Sequence, residues 1–496
     1  MRKEEFPVLQ LEHVTFRYYE NAKRNILDDV SLSILAGGIT VLMGSSGCGK
    51  STLAAVSCGL LPENGGYLEQ GEILLYGKNL AEMNQSRRAA YVTMMFQNPD
   101  LQFCMDTLRK EMQFCLENIC VPSSEMDSRI EKAVRELGVE ELLDKKLHSL
   151  SGGEKQKAAL CCLYVMESKC MILDEPFANI DEEGTRELIQ LLTKMKKLRN
   201  QTIIVIDHRM KHWLDIVDEM ILLGEGGKVL ARGITRENIE ECYPLFQKEG
   251  VFYPGVCQRT TPVRNMEMAA CHLDQVSILV EAGRGRWKRK DRRRQLLHQV
   301  NVRFPKGAMT AILGPSGCGK TTLFLAMLRQ ISYEGNIQFG EKAWTKKEQF
   351  QHMGIVFQNP ANQFITQNVR QEVESSIMQW NPGIKDEECA CLADRMMEEY
   401  GLLRFHRYSP YMLSQGQQRR LAVLSVLAGK QNILLLDEPT YGQDYRSTTA
   451  IMEQLTEKIQ KDGLTVIFTT HDEELAHAWA DKIYRVQEQK LQEEMI

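Results

Sequence analysis

Short runs of almost uninterrupted apolar residues punctuate the chain, separated by stretches in which apolar and polar positions alternate with a helical period. ITVLMG (39–44), TIIVID (202–207) and MILLGEGGKVLARG (220–233) read as strands or hairpins, from their apolar runs and the glycines that turn them. TLAAVSC after Ser51 and TLFLAML after Thr321 carry a helical pattern directly behind such a strand. Strands running into helices predict an α/β chain.

The pattern then repeats. GSSGCGKST at 44–52 returns as GPSGCGKTT at 314–322, and FQNPDLQF at 96–103 as FQNPANQF at 357–364. LSGGE at 150–154 returns as LSQGQ at 413–417, and CMILDEP at 170–176 as ILLLDEP at 433–439. A histidine follows an apolar strand at His208 and again at His471. The landmarks keep their order, which identifies one large domain duplicated rather than a short solenoid repeat. We place the first domain at 1–242 and the second at 266–496. Between them, 243–265 has three prolines and no clear period, and reads as a linker.

Chemistry enters with the glycine-rich segments. Gly44-x4-Gly49-Lys50-Ser51 and Gly314-x4-Gly319-Lys320-Thr321 each sit between an apolar strand and a helical pattern. Glycines let successive backbone N–H groups turn toward an anion, and the following helix N-terminus adds partial positive charge. The loops Gly44, Ser45, Ser46, Gly47, Cys48, Gly49, Lys50, Ser51, Thr52 and Gly314, Pro315, Ser316, Gly317, Cys318, Gly319, Lys320, Thr321, Thr322 are therefore the candidate phosphate cradles. Lys50 and Lys320 reach for phosphate, while Ser51 and Thr321 are candidate Mg²⁺ ligands. Asp174 and Asp437 end apolar strands where a carboxylate suits Mg²⁺, and Glu175 and Glu438 beside them suit orienting an attacking water.

In this order, the phosphate loop, the glutamine loop, the LSGG signature, the Asp-Glu strand end and the histidine resemble the ATP-binding-cassette (ABC) ATPases, nearly the whole chain twice over. The resemblance implies two nucleotide-binding domains in tandem. Each has a mostly parallel sheet core, an antiparallel β subdomain and a helical signature subdomain. It implies ATP and Mg²⁺ as cofactors, and paired halves in which each ATP lies between one phosphate loop and the other half's signature. Lys50 would then face Ser414 and Gly416, and Lys320 would face Ser151, Gly152 and Gly153. Gln97 and Gln358 match the Gln-loop contact to Mg²⁺ and water, His208 and His471 the γ-phosphate switch, Asp181 and Asp444 the interface loop, and Tyr18 the adenine-stacking aromatic.

Several residues depart from the family pattern. Gln415 stands where the signature usually has Gly; Val280 aligns with Tyr18, unless Trp287 fills in; ANID and YGQD replace the usual small-x-Leu-Asp. These departures predict two unequal sites; both keep Lys, Glu and His, so both are expected to hydrolyse ATP.

The doubled Phe-Gln-x-Pro-x-x-Gln-Phe, with Gln102 and Gln363 as second glutamines, resembles the ATPase subunits of energy-coupling-factor (ECF) importers. That resemblance implies a transmembrane coupling protein and a small membrane substrate binder as partners, and a vitamin or trace metal ion as solute. The solute itself is not legible. A tandem sugar-importer ATPase is the alternative within transport. A soluble ABC protein of translation or DNA repair is the alternative outside it, disfavoured by the short linker and the absence of Cys-x-x-Cys pairs.

Composition changes this picture little. The net charge of −5 argues against a nucleic-acid binder. No apolar run reaches a membrane-spanning length and the start lacks a secretory pattern, so the chain is expected to be cytosolic; the importer resemblance implies the cytoplasmic face of the membrane, as a peripheral subunit. The 14 cysteines read as reduced thiols. One segment, Arg284 to Arg294, carries eight basic residues and one acid. It reads as a solvated hairpin extension, with contact to anionic lipid, to nucleic acid through Trp287, or to the nucleotide as the alternatives.

Overall fold

The computed structural model describes residues 7–22, 24–178, 180–253, 268–281, 293–340, 344–429, 431–440 and 443–494. The chain divides into two compact units, Met1–Val256 with Asp444–Arg446, and Cys257–Gln443 with Ser447–Ile496. Each is described by itself.

In the first unit the predicted strands assemble into a six-stranded sheet. Its order is Val229–Ile234, Glu219–Leu223, Ile39–Gly44, Thr202–Ile206, Cys170–Asp174, Val92–Met95. All neighbours are parallel except the hairpin pair at the edge. The phosphate-loop strand is central, so its loop opens at the carboxyl ends of several strands, where ligands of open α/β sheets bind. A four-stranded antiparallel sheet is built around Pro7–Arg17, which pairs with Leu27–Leu35 and Tyr67–Leu75.

The strand period of two divides the interior in half. Ile39, Val41, Met43, Met171, Leu173, Ile203 and Val205 face one core, with the helices Leu108–Asn118, Ser123–Leu137 and Gly152–Val165. Leu42, Cys170, Ile172, Ile204 and Ile206 face the other, shared with the antiparallel sheet. Every one of these side chains is buried, which explains why the runs are continuously apolar rather than alternating.

The second unit repeats the plan. Its central sheet runs Met353–Val356, Ile433–Asp437, Thr465–Thr470, Met309–Leu313, Lys482–Gln487, Lys490–Glu494. A three-stranded sheet pairs Ala269–Glu281 with Arg293–Pro305 and Glu334–Phe339. Leu434, Leu436, Val466 and Phe468 point to the helical core, while Ile433, Leu435 and Ile467 point to the antiparallel sheet.

The stretch read as a linker is ordered where it is described. Tyr243–Glu249 is a helix with proline in its first turn, and Phe246 and Val251 are buried in the first unit's core. The rings of Tyr243, Phe246 and Tyr253 contact one another and hold the segment after the helix against it. Residues 254–265 lie outside the described residues, as do Trp287 and the basic segment up to residue 292.

Candidate functional site

The two phosphate loops are near copies. The helices Lys50–Ser57 and Lys320–Met327 start at Gly49 and Gly319, with φ of 109° and 105°. At Gly49 a Cβ would lie 2.9 Å from the Ile26 carbonyl oxygen, so both conformation and space require glycine. Lys50 Nζ donates to the Gly44 and Ser45 carbonyls at 2.8 Å each, folding the lysine over the loop. Lys320 repeats this on Gly314 and Pro315.

Around each loop the sequence-distant candidates converge. In the first half Ser51 Oγ donates to Asp174 Oδ1 at 3.1 Å, and Gln97 Nε2 donates to Glu175 Oε2 at 2.6 Å. His208 Nδ1 lies 3.5 Å from Glu175 Oε1. In the second half Thr321 Oγ1 donates to Asp437 Oδ2 at 2.6 Å, and Thr469 Oγ1 donates to Asp437 Oδ1 at 2.7 Å. His471 Nδ1 lies 3.0 Å and Lys320 Nζ 3.6 Å from the Glu438 carboxylate. A cavity of about 370 Å³ opens here, lined by Ser316, Lys320, Thr321, Gln358, Asp437 and Glu438 together with Val280. Val280, which aligns with Tyr18 of the first half, therefore lines this cavity. Tyr18 is part-exposed, packs edge-on against Phe16, and bonds Thr52 Oγ1 at 3.0 Å.

Burial sets the electrostatics. It pushes the Asp174 carboxyl up to about 6, helped by the neighbouring Glu175 charge and opposed by the Ser51 hydroxyl. Burial also acts to raise Glu175 and Glu438. Their histidines and lysines outweigh it, so both carboxyls lie below the usual glutamate value and are anionic. Both glutamates occupy the left-handed region, at φ 46° and 50°, a conformation that costs of order 1–3 kcal/mol and persists only where the surroundings impose it. The buried Nε2 of His208 has no hydrogen-bond partner among the described residues.

The signatures stand at helix N-termini. Ser151 caps Gly152–Val165 and Ser414 caps Gln415–Leu427, each in a reciprocal box with Glu154 or Gln417. Ser414 and Gly416 do not line the second half's own phosphate cavity. Asp181 caps the helix Glu182–Arg199 through the Gly184 N–H.

Three positions were missed in the sequence. Arg419 is buried and donates to the Gln358, Phe357 and Asp437 carbonyls, tying the Gln loop to the Asp-Glu strand end. Its counterpart Gln156 donates to the Ala178 carbonyl. No sequence pattern marked Arg419, because its partners are backbone carbonyls. Glu111 and Glu372 are buried and accept the N–H groups of Cys104 and Met105, and of Ile365 and Thr366, fixing the turn after each Gln loop. Gln102 and Gln363 close each Gln loop on itself by accepting from Phe96 and Phe357.

The ABC transporter family matches residues 27–178 and 297–441. The Bacillus subtilis "Putative HMP/thiamine import ATP-binding protein YkoD" is 31% identical, over 96% of this chain and 89% of its own. A "Putative ABC transporter ATP-binding protein" of Methanosarcina acetivorans is 30% identical over 99% and 86%. Among solved structures, an archaeal ribosome recycling factor in complex with a ribosomal stalk protein covers 95% of this chain and 87% of its own. Its TM-score is 0.61 at 18% identity, a likeness of fold alone. With two nucleotide-binding frames, each presenting a phosphate loop to an Asp-Glu pair and a histidine, the chain belongs to the ABC transporter family as an ATP-hydrolysing protein with two ABC domains in tandem.

Proposed function

We propose that this chain is the fused ATPase of an ECF-type importer for a vitamin or trace metal ion, driving a transmembrane coupling protein that works with a small membrane substrate binder. The observation that carries the reading is the doubled Gln loop: the Phe-Gln-x-Pro-x-x-Gln-Phe motif stands in both halves. In both, the second glutamine holds the loop and a buried glutamate holds the turn behind it. The name of the Bacillus relative, an HMP/thiamine import ATP-binding protein, supports a vitamin-class solute. No helix among the described residues is long and apolar enough to cross a membrane, so the solute path would lie in other chains.

In this reading ATP sits on the phosphate loops, its phosphates met by backbone N–H groups, Lys50 and Lys320. Glu175 and Glu438, already anionic, orient the attacking waters, and His208 and His471 contact the γ-phosphate. A hydroxyl and a carboxylate within 3.1 Å in the first half and 2.6 Å in the second, with a glutamine amide nearby, form an all-oxygen donor set suited to a hard divalent cation. Ser51, Asp174 and Gln97, and Thr321, Asp437 and Gln358, would hold Mg²⁺, which when bound neutralises phosphate charge. The domain division at 243–265 and the signatures' role toward ATP are part of the same proposal. ATP-driven closure of the two domains would move the Gln loops, and with them the partner.

The test is to purify the tagged chain from detergent-solubilised membranes of its host and identify what accompanies it by mass spectrometry. Two integral membrane proteins, one of them varying between preparations, are expected. Recovery with ribosomes or DNA and no membrane protein overturns the reading.

A further inference from the structure

His208 and His471 follow equivalent strands, Thr202–Ile206 and Thr465–Thr470, but their surroundings differ. His471 is preceded by Thr470, whose hydroxyl accepts the Asp472 N–H at 3.0 Å, and is followed by the helix Glu473–Trp479. His208 is preceded by an acid, Asp207, and no helix follows it directly. The Asp207 carboxyl is buried, at 5% exposure, with both oxygens engaged. Oδ1 accepts the Arg209 N–H at 2.9 Å, and Oδ2 accepts the Trp213 indole N–H at 2.8 Å. Oδ1 also lies 3.8 Å from His208 Nδ1. A buried carboxylate is costly unless such donors meet it.

The indole is itself anchored. Trp213 is fully buried and stacks on Phe177, with ring centroids 4.5 Å apart. Phe177 stands two residues beyond Glu175. A closed circuit of contacts therefore runs from the Asp-Glu strand end through Phe177, Trp213 and Asp207 to His208, and back to Glu175 across 3.5 Å. The second half has Thr440, Ala476 and Thr470 where the first has Phe177, Trp213 and Asp207, all three of them buried. Ala476 has no side-chain donor to offer, and Thr470 has no charge.

On its Nδ1 side the His208 ring thus meets two carboxylates, Glu175 and Asp207, while the buried Nε2 has no hydrogen-bond partner among the described residues. Phe252 lies against the same ring, with centroids 6.4 Å apart. A carboxylate accepts and does not donate, so both neighbours favour a proton on Nδ1, and what faces one ring nitrogen decides the role of the other. We propose that Asp207, held by the Trp213 indole, is a positioning residue of the first ATP site. It turns the His208 ring so that Nδ1 faces the carboxylates and Nε2 is the nitrogen left to meet the γ-phosphate. The second half orients His471 without this brace. The inference rests on the γ-phosphate contact given to His208 above and deepens it. The competing reading is that Asp207 only fastens the turn after the strand, through its bonds to Arg209 and Trp213.

The experiment uses the full chain labelled with [15N]histidine, its ring nitrogens observed by long-range 1H–15N spectroscopy. His208→Gln and His471→Gln assign the two rings. Asp207→Asn removes the charge and keeps an acceptor for the indole, Asp207→Thr installs the residue of the second half, and Trp213→Phe removes the indole N–H. His208 should show a protonated Nδ1 in the wild type. All three variants should displace its ring signals, Asp207→Thr more than Asp207→Asn, and leave those of His471 in place. In steady-state ATPase, Asp207→Thr should lower kcat by at least about 1.5-fold with KM held within about twofold, the mark of an interaction made in the transition state. Added to His208→Ala it should change kcat by less than about 1.2-fold, because its effect passes through the ring. Unmoved His208 signals in Asp207→Thr, or an equal loss of kcat with and without His208, overturns the proposal in favour of a fastened turn. If His208→Ala is slow and Asp207→Thr is not, the proposal fails and the γ-phosphate reading stands. If His208→Ala turns over ATP at the wild-type rate, both fail.

Discussion

The two halves hold their glutamates with different partners on the same backbone. Glu175 is gripped by the Gln97 amide at 2.6 Å and more loosely by His208, whereas Glu438 is gripped by His471 at 3.0 Å with Lys320 beside it. Behind Glu438, Arg419 ties Gln358 to the strand end; behind Glu175, Gln156 makes no such tie among the described residues, donating instead to the Ala178 carbonyl. The frame of strands, phosphate loop and left-handed glutamate is kept in both. What differs is which polar group restrains the glutamate, so the Gln loop is coupled to it directly in the first half and through the Arg419 guanidinium in the second.

The largest test of this difference removes the glutamates. Glu175→Gln and Glu438→Gln should each lower steady-state ATPase, and the pair together should lower it about 10²-fold or more. If either single change leaves the rate untouched, the two halves are not both hydrolytic. Next in size is the core. Phe468 stands where the first half has Val205, both fully buried. Phe468→Ala should cost the second half about 3–5 kcal/mol, read as hydrogen exchange in its central strands, and Val205→Ala should cost the first half less.

Smaller is the nucleotide face. Tyr18→Ala should raise the ATP requirement of the first half by about fivefold or more, if Tyr18 stacks on the base, and Val280→Ala should leave the second unchanged. Equal effects would erase that asymmetry.

The smallest test is acid. The Glu154 carboxyl is held down to about 2 by Lys145 and the Ser151 N–H, against an ordinary value of 4.5. A lowered folded value means the stabilisation is complete above about 4.5 and lost as pH falls from there through about 2. The first signature helix should therefore loosen over that window and the second, capped by Gln417, should not. Hydrogen exchange at 152–156 and 415–419 checks this, and Glu154→Gln should abolish the difference.

Much of this was written in the chain. The central strands were legible because burial on both faces leaves an unbroken apolar run, as in ITVLM and ILLLD. The phosphate loops, the Asp-Glu pairs and the histidines were legible because their chemistry demands fixed residue types at fixed spacing. The helix Tyr243–Glu249 was hidden because it is short, carries a proline in its first turn, and gains its stability from the core that Phe246 enters. Arg419 and Glu372 were hidden for another reason. Their bonds run to backbone carbonyls and N–H groups of other segments, and any sequence has those, so no pattern marks them.

The left-handed backbone at Glu175 and Glu438 has a consequence for how such a chain can be improved. Glycine relaxes that conformation at no steric cost, and asparagine adopts it more readily than glutamate. A library screened only for heat resistance should therefore enrich Glu175→Gly and Glu438→Gly, and its most durable members should be poor at turnover. Stabilisation campaigns on this scaffold need an activity gate at these two codons above all others.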